Sequence, residues 1–438
     1  MNGLIITLFI VFFLVIIYLT PIFRFDGLNR HVLPVLFLTK VGVSFILMLL
    51  YTNIYPDRSK ADIFKYFDDG KIMNEVVHEN PKLFFNLLTG ISNDNPEVKV
   101  VFSKMHHWYR QWENTTNNDN HFIIRVNAFL FLFSFGIYQV HSIIFCFFAF
   151  LGSVLFYRGL KNKIIELPMV VLFLFILTPT ILLWTSGNLK EAILLLGLGL
   201  FFYGSFGLMK NNKIQFKNSL IAVLSIFILL SIKSYVLYLM IFLLFAYLHN
   251  SFHKVKHPII NYFGVFCLGI IAALILGKYY PSYDFVNLIS YKQRDFYNLA
   301  FEQNSGSILY CPRISNSIIS LILAIPVALF NVVFQPFSLS EPLKLLATFE
   351  NLYLLVFPLL AIAFFNKSNF IKYQNEIIFC FAFVLVLYIL IGLTTPVAGA
   401  IVRYKMPALF FYMIGFLLLI DFTKLSKYKL LSKWKILF

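Results

Sequence analysis

Three aspartates near the start of a polar stretch, residues 53–121, are the first candidates for chemistry in this chain. Asp62 stands alone, and Asp68-Asp69 form an adjacent pair. A glycosyl transfer needs such a carboxylate, because an acceptor hydroxyl must lose its proton to a positioned base. Three other interpretations stay open: Asp62 faces water, the pair caps a helix or turn, or the pair holds a divalent cation through its oxygens.

Basic residues next to apolar runs form a second set of candidates. Lys190-Glu191 lies at the mouth of one run, where snorkelling to the membrane interface is the simplest interpretation. Lys233 divides a longer apolar stretch. An unpaired lysine near the bilayer centre costs about 2.5–3.5 kcal/mol on insertion scales, so Lys233 either marks an extracytoplasmic turn or has an anionic partner. Arg403 and Lys405 are either interface anchors or ligands of a diphosphate.

The composition places these residues in a membrane protein. Hydrophobic residues make up 60% of the chain and charged residues 13%, against roughly a quarter charged in soluble domains. Apolar runs recur from end to end, each long enough to cross a hydrocarbon core of about 30 Å. The runs are continuously apolar, which favours helices over a barrel. We therefore expect an all-α polytopic integral membrane protein with about 11–13 transmembrane helices, forming a single domain over residues 1–438.

Two of the candidate spans are irregular. Residues 122–136 carry Arg125 and Asn127, and we expect this helix to lie in the membrane plane or to insert only partly. Pro326 interrupts residues 315–335, which predicts a broken or re-entrant piece. The full set of candidate spans is 3–21, 33–51, 122–136, 139–157, 165–184, 191–209, 218–232, 234–249, 258–277, 315–335, 345–365, 376–394 and 405–421.

Short basic segments predict which loops face the cytoplasm under the positive-inside rule. These topogenic residues account for the net charge of +16 without nucleic-acid binding. Residues 53–121 instead hold ten acidic residues against eight Lys and Arg, so we expect this loop, together with residues 278–314, on the extracytoplasmic side. The residues placed inside are Arg158, Lys161, Lys163, Lys210, Lys213, Lys217, Lys254, Lys256 and the tail Lys424, Lys427, Lys429, Lys433 and Lys435.

This arrangement collects the unusual polar groups on the outer face, as an active site at a membrane surface requires. His106 and His107 belong to that face, whereas His249, His253 and His257 recur every four residues at the inner end of a span. The inner histidines are either a zinc site or an interfacial helix end. Besides the aspartates, the outer face would hold Trp184-Thr185-Ser186-Gly187-Asn188-Leu189-Lys190-Glu191, Lys233, Tyr291-Lys292-Gln293-Arg294, Arg313, Glu341, Glu350 and Val402-Arg403-Tyr404-Lys405-Met406-Pro407.

Three segments carry a family resemblance. The acidic early loop, the dozen or so spans and a late segment entering the last helix together resemble the polyprenyl-phosphate-dependent glycosyltransferases of the GT-C superfamily. The other two segments are similar to parts of bacterial membrane proteins with surface-polysaccharide functions, including O-antigen polymerase-like proteins. The three are Gly399-Ala400-Ile401-Val402-Arg403-Tyr404-Lys405-Met406-Pro407, Pro179-Thr180-Ile181-Leu182-Leu183-Trp184-Thr185-Ser186-Gly187-Asn188-Leu189-Lys190-Glu191, and Pro336-Phe337-Ser338-Leu339-Ser340-Glu341 followed by Phe349-Glu350-Asn351.

The resemblance implies an inverting glycosyltransferase at the outer face of a bacterial cytoplasmic membrane. Asp62 or the Asp68-Asp69 pair would be the base. The expected partners are a polyprenyl-linked sugar donor, a glycan or lipid acceptor and membrane lipid, without nucleic acid, and no cofactor is certain beyond the open divalent cation. The alternatives are a repeat-unit polymerase, a flippase for lipid-linked glycans and a noncatalytic scaffold. The substrate and phosphate candidates are Lys190, Glu191, Lys233, Arg294, Arg313, Arg403 and Lys405.

Overall fold

The protein is helical throughout the part of the chain that the structure describes. Its secondary structure there consists of helices and two isolated β-bridges, without a strand. Eight helices are long and apolar enough to cross a membrane, or nine if one bent pair is a single span, and two shorter apolar helices accompany them. The predicted class, an all-α polytopic integral membrane protein, is confirmed. The computed structural model describes residues 1–54, 57–109, 118–164, 166–208, 215–253, 255–315, 317–337 and 342–425.

Several residues named above lie outside the described ranges. They are Lys210, Lys213, Lys254, residues 338–341 with Glu341, and the tail lysines Lys427, Lys429, Lys433 and Lys435.

The chain divides into two compact units, Met1–Ser234 and Tyr235–Phe438. The first unit contains ten helices and the first part of an eleventh. They are α1 (Asn2–Leu19), α2 (Val32–Ile54), α3 (Asp62–Glu75), α4 (Pro81–Thr89), α5 (Pro96–Lys104), α6 (Asn120–Ser134), α7 (Tyr138–Lys163), α8 (Val170–Leu177), α9 (Pro179–Trp184), α10 (Lys190–Leu208) and α11 (Phe216–His253).

The second unit begins within α11 and continues with nine further helices. Helix α17 lies at its centre, in contact with α12, α13, α14 and α19. The helices are α12 (Pro258–Tyr279), α13 (Phe285–Glu302), α14 (Ile318–Phe334), α15 (Pro342–Ala363), α16 (Lys367–Lys372), α17 (Gln374–Thr394), α18 (Ala398–Tyr404), α19 (Met406–Leu417) and α20 (Phe422–Leu425).

The polar stretch 53–121 folds into three short helices whose ends the sequence specifies. At the start of α4, the Asn80 side chain accepts a hydrogen bond from the Leu83 N–H and Pro81 occupies the first turn. Gly90 ends α4 in the left-handed conformation, with φ of 77°. A polar cap, a proline inside the start and a glycine past the end are the usual helix boundaries.

The predicted span 165–184 is not one helix. It consists of α8 and α9, which meet at Thr178, where the backbone is extended with φ of −56° and ψ of 127°. The cause is Pro179, since a proline disfavours helical backbone in the residue before it. The chain then leaves helical geometry again over residues 185–189 before α10 begins at Lys190.

The structure confirms one further expectation about spans and contradicts another. The segment α11 consists of two helices that meet at a kink at Lys233, where φ is −147° and ψ is 79°, so the chain divides between the predicted spans 218–232 and 234–249 as expected. Pro326 does not break its run, because it lies inside the continuous helix α14. Membrane helices tolerate an internal proline when their surroundings satisfy the freed backbone groups.

Helices α7 and α10 form the core of the first unit. Gly152 of α7 lies directly against Gly199 of α10, where an added Cβ on Gly199 would lie 2.1 Å from the Gly152 carbonyl oxygen. Gly159 makes a similar contact with the backbone of Phe202. Small residues let membrane helices approach this closely. The close contact fixes α10, and with it the non-helical segment that leads into it.

Candidate functional site

The helix that carries the three aspartates packs on the non-helical segment 185–189. The apolar face of α3, with Ile63, Phe64 and Phe67, shares a buried cluster with Leu189 of that segment. Gly70 allows a close approach to α6, because an added Cβ there would lie 2.7 Å from the Asn127 Cβ. Helix α3 is therefore held by its apolar face against the segment that leads into α10.

Asp62 is a partly exposed carboxylate at the start of α3. It lies in the first turn of α3 with its side chain 36% exposed, and Lys65 Nζ lies 3.0 Å from its Oδ1. Tyr66 lies one turn further along α3, and Lys190 Nζ is 5.2 Å from the centre of the Tyr66 ring. Asp62 and Tyr66 share one face of α3, since they are four residues apart, and the ring of Tyr66 faces the buried Lys190.

Asp68 is engaged at the protein surface. Arg58 contacts it through two hydrogen bonds, Nε to Oδ2 at 2.8 Å and Nη2 to Oδ1 at 3.0 Å. The Arg58 guanidinium also stacks 3.9 Å from the centre of the Phe64 ring. Hydrogen bonds from the hydroxyl and N–H of Ser59 lower the pKa of the neighbouring Asp57, which caps the turn before α3.

Asp69 is fully buried, and its carboxylate accepts hydrogen bonds from the backbone. Its Oδ1 accepts the His106 N–H at 3.0 Å and its Oδ2 accepts the His107 N–H at 2.8 Å, while the His107 Nδ1 lies 3.6 Å from Oδ2. The geometry favours a structural role for Asp69, since both oxygens already accept hydrogen bonds away from solvent. The two carboxylates of the pair point to different partners and do not converge on one ion.

The described residues contain no group of three or more His, Cys, Asp or Glu that could hold a metal ion. This includes the inner histidines, where the rings of His249 and His253 are 4.6 Å apart and the His249 Nδ1 contacts the Asn261 side chain at 3.1 Å.

Lys190 and Glu191 are buried and pair with different elements. Lys190 Nζ contacts the side chains of Asp119 at 2.8 Å and Asn120 at 2.6 Å. Glu191 Oε1 lies 3.2 Å from Lys233 Nζ, so the anionic partner expected as one alternative for Lys233 is Glu191. The two charges of the dipeptide therefore connect the start of α10 with the start of α6 and with α11, and neither side chain snorkels to the interface.

A buried chain of amides and one imidazole continues from the same segment. The side chains of Asn188 and Asn127 exchange two hydrogen bonds at 2.7 and 3.0 Å. Asn127 Oδ1 also lies 2.8 Å from His141 Nδ1, and His141 Nε2 lies 2.7 Å from Ser134 Oγ. Sequence reasoning missed His141, because a single histidine in an apolar run carries no spacing signal.

Lys40 is the second residue that the sequence reasoning missed. It lies in α2 with 1% exposure and its Nζ donates a hydrogen bond to the Thr185 hydroxyl. Its sulfur neighbour Cys146 contacts the Lys40 carbonyl oxygen at 3.7 Å. A lone lysine within the apolar run 33–51 was a readable signal, because charged residues inside spans are rare and usually functional.

The second unit has its own buried polar cluster. Lys405 Nζ donates to Asn351 Oδ1 at 2.7 Å, and the buried Glu350 lies close enough to act on Lys405 electrostatically. The Asn351 amide also donates to the Pro336 carbonyl at 3.3 Å. Arg403 is buried as well, at 8% exposure. Two segments that carry the family resemblance, around residues 350 and 405, therefore meet in this unit.

The remaining basic candidates, Arg294 and Arg313, are exposed. Arg294 lies on α13 with its guanidinium 5.1 Å from the centre of the Tyr291 ring. Gln293 faces inward and donates to the carbonyls of Pro312 and Leu393 at 3.1 and 3.0 Å. Burial raises the pKa of Asp295, a carboxylate on α13 that the sequence reasoning did not single out.

A scan against protein-family models, a search of curated proteins and a search of solved structures each return no match for this chain.

Proposed function

We propose that the chain is a membrane glycosyltransferase that moves a sugar from a polyprenyl-phosphate-linked donor to a glycan or lipid-linked acceptor in surface polysaccharide synthesis. Its place would be the bacterial cytoplasmic membrane, with the active face outside. The observation that carries the proposal is the position of Asp62, which is partly exposed and lies one helical turn before Tyr66, whose ring is 5.2 Å from the Nζ of buried Lys190. A candidate base and a candidate cation therefore lie on the neighbouring helices α3 and α10.

In the proposed reaction, Asp62 takes the proton of an acceptor hydroxyl as the oxygen attacks the anomeric carbon. A new bond forms between that oxygen and the anomeric carbon, while the bond from the anomeric carbon to the donor phosphate breaks. The lipid phosphate or diphosphate leaves with the electron pair. Stabilising the charge on this leaving group is the larger catalytic contribution, and it requires cations in a water-poor site.

Asp62 is preferred over its two neighbours because of their contacts. Asp69 is buried on two backbone N–H groups, and Asp68 is held by both nitrogens of the Arg58 fork. Asp62 is also ion-paired, with Lys65 Nζ 3.0 Å from its Oδ1, and its side chain is 36% exposed against 37% for Asp68. What favours Asp62 is its place in the first turn of α3, one helical turn before Tyr66, whose ring lies 5.2 Å from Lys190 Nζ. A repeat-unit polymerase would use the same donor chemistry and the same base, and differs only in the length of its product.

A transporter for lipid-linked glycans is the second candidate, favoured by one specific observation. The ion pair of Glu191 and Lys233 lies inside the first unit, beside non-helical backbone at residues 185–189 and at Lys233. Interrupted helices and charges inside the membrane are typical of transporters.

The experiment is the mass profile of lipid-linked glycans in cells with the wild-type chain, a deletion, Asp62→Asn and the control Asp94→Asn at equal expression. Asp94 is a fully exposed aspartate of the same outer stretch, so its neutralisation should be silent. Glycans short by one sugar in the deletion and in Asp62→Asn support the transferase. Accumulated single repeat units indicate the polymerase, and full-length glycan on the inner leaflet indicates the transporter. An unchanged profile in the deletion contradicts all three.

A further inference from the structure

Lys40 is buried inside a membrane-crossing helix with no carboxylate among its contacts in the described part of the chain. It is 1% exposed, and its Nζ donates to the Thr185 hydroxyl. That hydroxyl also donates to the Ile181 carbonyl at 2.6 Å, so it is a neutral partner already used on its other side. A hydroxyl orients an ammonium group but does not neutralise its charge.

The lysines at the segment 185–191 differ in their partners within the described part of the chain. Two of them meet carboxylates of the protein. Lys190 lies 2.8 Å from Asp119, and Lys233 lies 3.2 Å from Glu191. Lys40 is the third. A buried ion is stable only when it is paired and hydrogen-bonded, so the geometry leaves one positive charge for a ligand.

The segment next to Lys40 also offers backbone donors. Within the described residues, neither the Gly187 N–H nor the Asn188 N–H donates a hydrogen bond to the protein. Both residues are buried, and they follow the hydroxyl groups of Thr185 and Ser186. Successive N–H groups in a non-helical turn form a concave site for an oxyanion. Both hydroxyls already donate to backbone carbonyls, of Ile181 and Leu182, so the groups that match a phosphate are the ammonium and the two adjacent N–H groups.

We infer that Lys40 and the segment 185–188 bind the phosphate group of a polyprenyl phosphate or diphosphate. This inference rests on the proposed function and deepens it, because it places the donor's phosphate at a residue outside the predicted set. The opposite face of α2 exposes Val35, Leu38 and Ile46, as a lipid-facing helix does. The donor of the proposed reaction is itself lipid-borne, so the inference commits to a phosphate carried by a lipid.

The test is ligand-dependent thermal stabilisation of the purified full chain in lipid nanodiscs. The probes are a polyprenyl phosphate, the uncharged polyprenol of the same length and inorganic phosphate. The variants are Lys40→Met, Lys40→Arg and the control Lys99→Met. Lys99 is an exposed lysine on α5 that pairs with the exposed Asp94 at 3.6 Å. We expect polyprenyl phosphate alone to raise the melting temperature of the wild type and of Lys99→Met.

In Lys40→Met, the apparent affinity for polyprenyl phosphate should fall by about tenfold or more, the usual effect of losing a hydrogen bond to a charged group. Lys40→Arg should retain most of the binding. Without ligand, Lys40→Met should melt no lower than the wild type, because it removes a buried charge that no protein carboxylate balances. A lysine with a merely structural role would give the opposite result, a lower melting temperature and unchanged binding.

Equal binding of polyprenyl phosphate by the wild type and Lys40→Met would overturn the inference, and equal stabilisation by inorganic phosphate would overturn its lipid source. If Lys40→Met does not fold, the binding of polyprenyl phosphate is measured in Lys40→Gln and Thr185→Ala instead. Both variants weaken the contact between Lys40 and Thr185; the first keeps a polar side chain and the second keeps helix propensity. Lost binding in Lys40→Met with an unchanged glycan profile in the deletion would leave the phosphate site standing and remove the transferase. A changed glycan profile in Asp62→Asn together with full binding in Lys40→Met would support the transferase and remove the phosphate site at Lys40.

Discussion

Glu191 and Lys233 form an ion pair inside the first unit, with 3.2 Å between Oε1 and Nζ and side-chain exposures of 0% and 5%. The preceding residue, Lys190, turns instead to Asp119. Consecutive helical residues point about 100° apart, so the first turn of α10 presents its cation and its anion to different neighbours. The start of α10 is thereby fixed by charge as well as by packing.

Removing either member of this ion pair should destabilise the protein strongly. We expect Glu191→Gln or Lys233→Met alone to cost about 3–5 kcal/mol, because each leaves a buried charge unbalanced. The double variant Glu191→Gln/Lys233→Met should recover much of that loss, since both charges are then absent. The measurement is the free energy of unfolding by SDS titration in mixed micelles, analysed as a double-mutant cycle. Strictly additive losses would mean that the two side chains do not depend on each other.

Asp69 should matter for folding rather than for chemistry. Its two oxygens accept the N–H groups of His106 and His107. In Asp69→Asn, one acceptor becomes an NH₂ donor that faces a backbone N–H, which should cost about 1.5–3 kcal/mol, the range for hydrogen bonds to charged groups. The melting temperature should fall, while activity per folded molecule stays near that of the wild type. Asp94→Asn is the control, and its melting temperature should not change. Loss of activity in a stably folded Asp69→Asn would contradict this assignment.

The contact of α7 and α10 gives a packing prediction with an internal control. Gly199→Ala should destabilise by about 1–3 kcal/mol, the usual cost of overpacking, because the new Cβ would lie 2.1 Å from the carbonyl oxygen of Gly152. Gly42→Ala, in α2, has nothing within 4 Å of its added Cβ and should be neutral or slightly stabilising. Detergent-solubilised melting temperatures compare the two variants. Equal melting temperatures would mean that the helices are further apart than described.

Composition and run length were sufficient to predict the class of fold, because membrane helices are specified by continuous apolar sequence. They could not predict how runs are divided. Pro179 splits one predicted span, whereas Pro326 remains inside a helix. The difference depends on which neighbours satisfy the freed backbone groups, and that is tertiary information. The division at Lys233 was predictable from its charge, although the backbone there leaves helical geometry without any proline or glycine, beside the ion pair with Glu191.

The candidate site was predictable in part for a similar reason. The segment Thr185 to Glu191 could be recognised as unusual because polar and charged residues interrupt apolar sequence there. Its partners could not be named, since Asn127 and Lys40 reach it from distant positions. Three adjacent-looking aspartates also proved unequal: Asp69 is buried, whereas Asp62 and Asp68 stay partly exposed. Helical periodicity fixes which face a residue occupies, but burial depends on what packs against that face.

Substitutions of the basic candidates in the second unit should differ in their effect on the free energy of unfolding. Lys405 donates to Asn351 Oδ1 and lies near Glu350, so Lys405→Met should destabilise by about 1–3 kcal/mol through an unsatisfied buried acceptor. Arg294 is exposed beside Tyr291, and Arg294→Met should change the free energy of unfolding by less than about 0.5 kcal/mol.

Activity must therefore be measured per folded molecule, with the folded fraction taken from gel filtration in detergent. A phosphate ligand at Arg294 would show as lost activity at unchanged stability. At Lys405, only a loss beyond the folded fraction would indicate contact with the donor. Arg294→Met could be fully active while Lys405→Met loses activity only in proportion to folding. In that case neither residue binds the leaving phosphate. The cations that bind it must then lie in the first unit or among the arginines not tested.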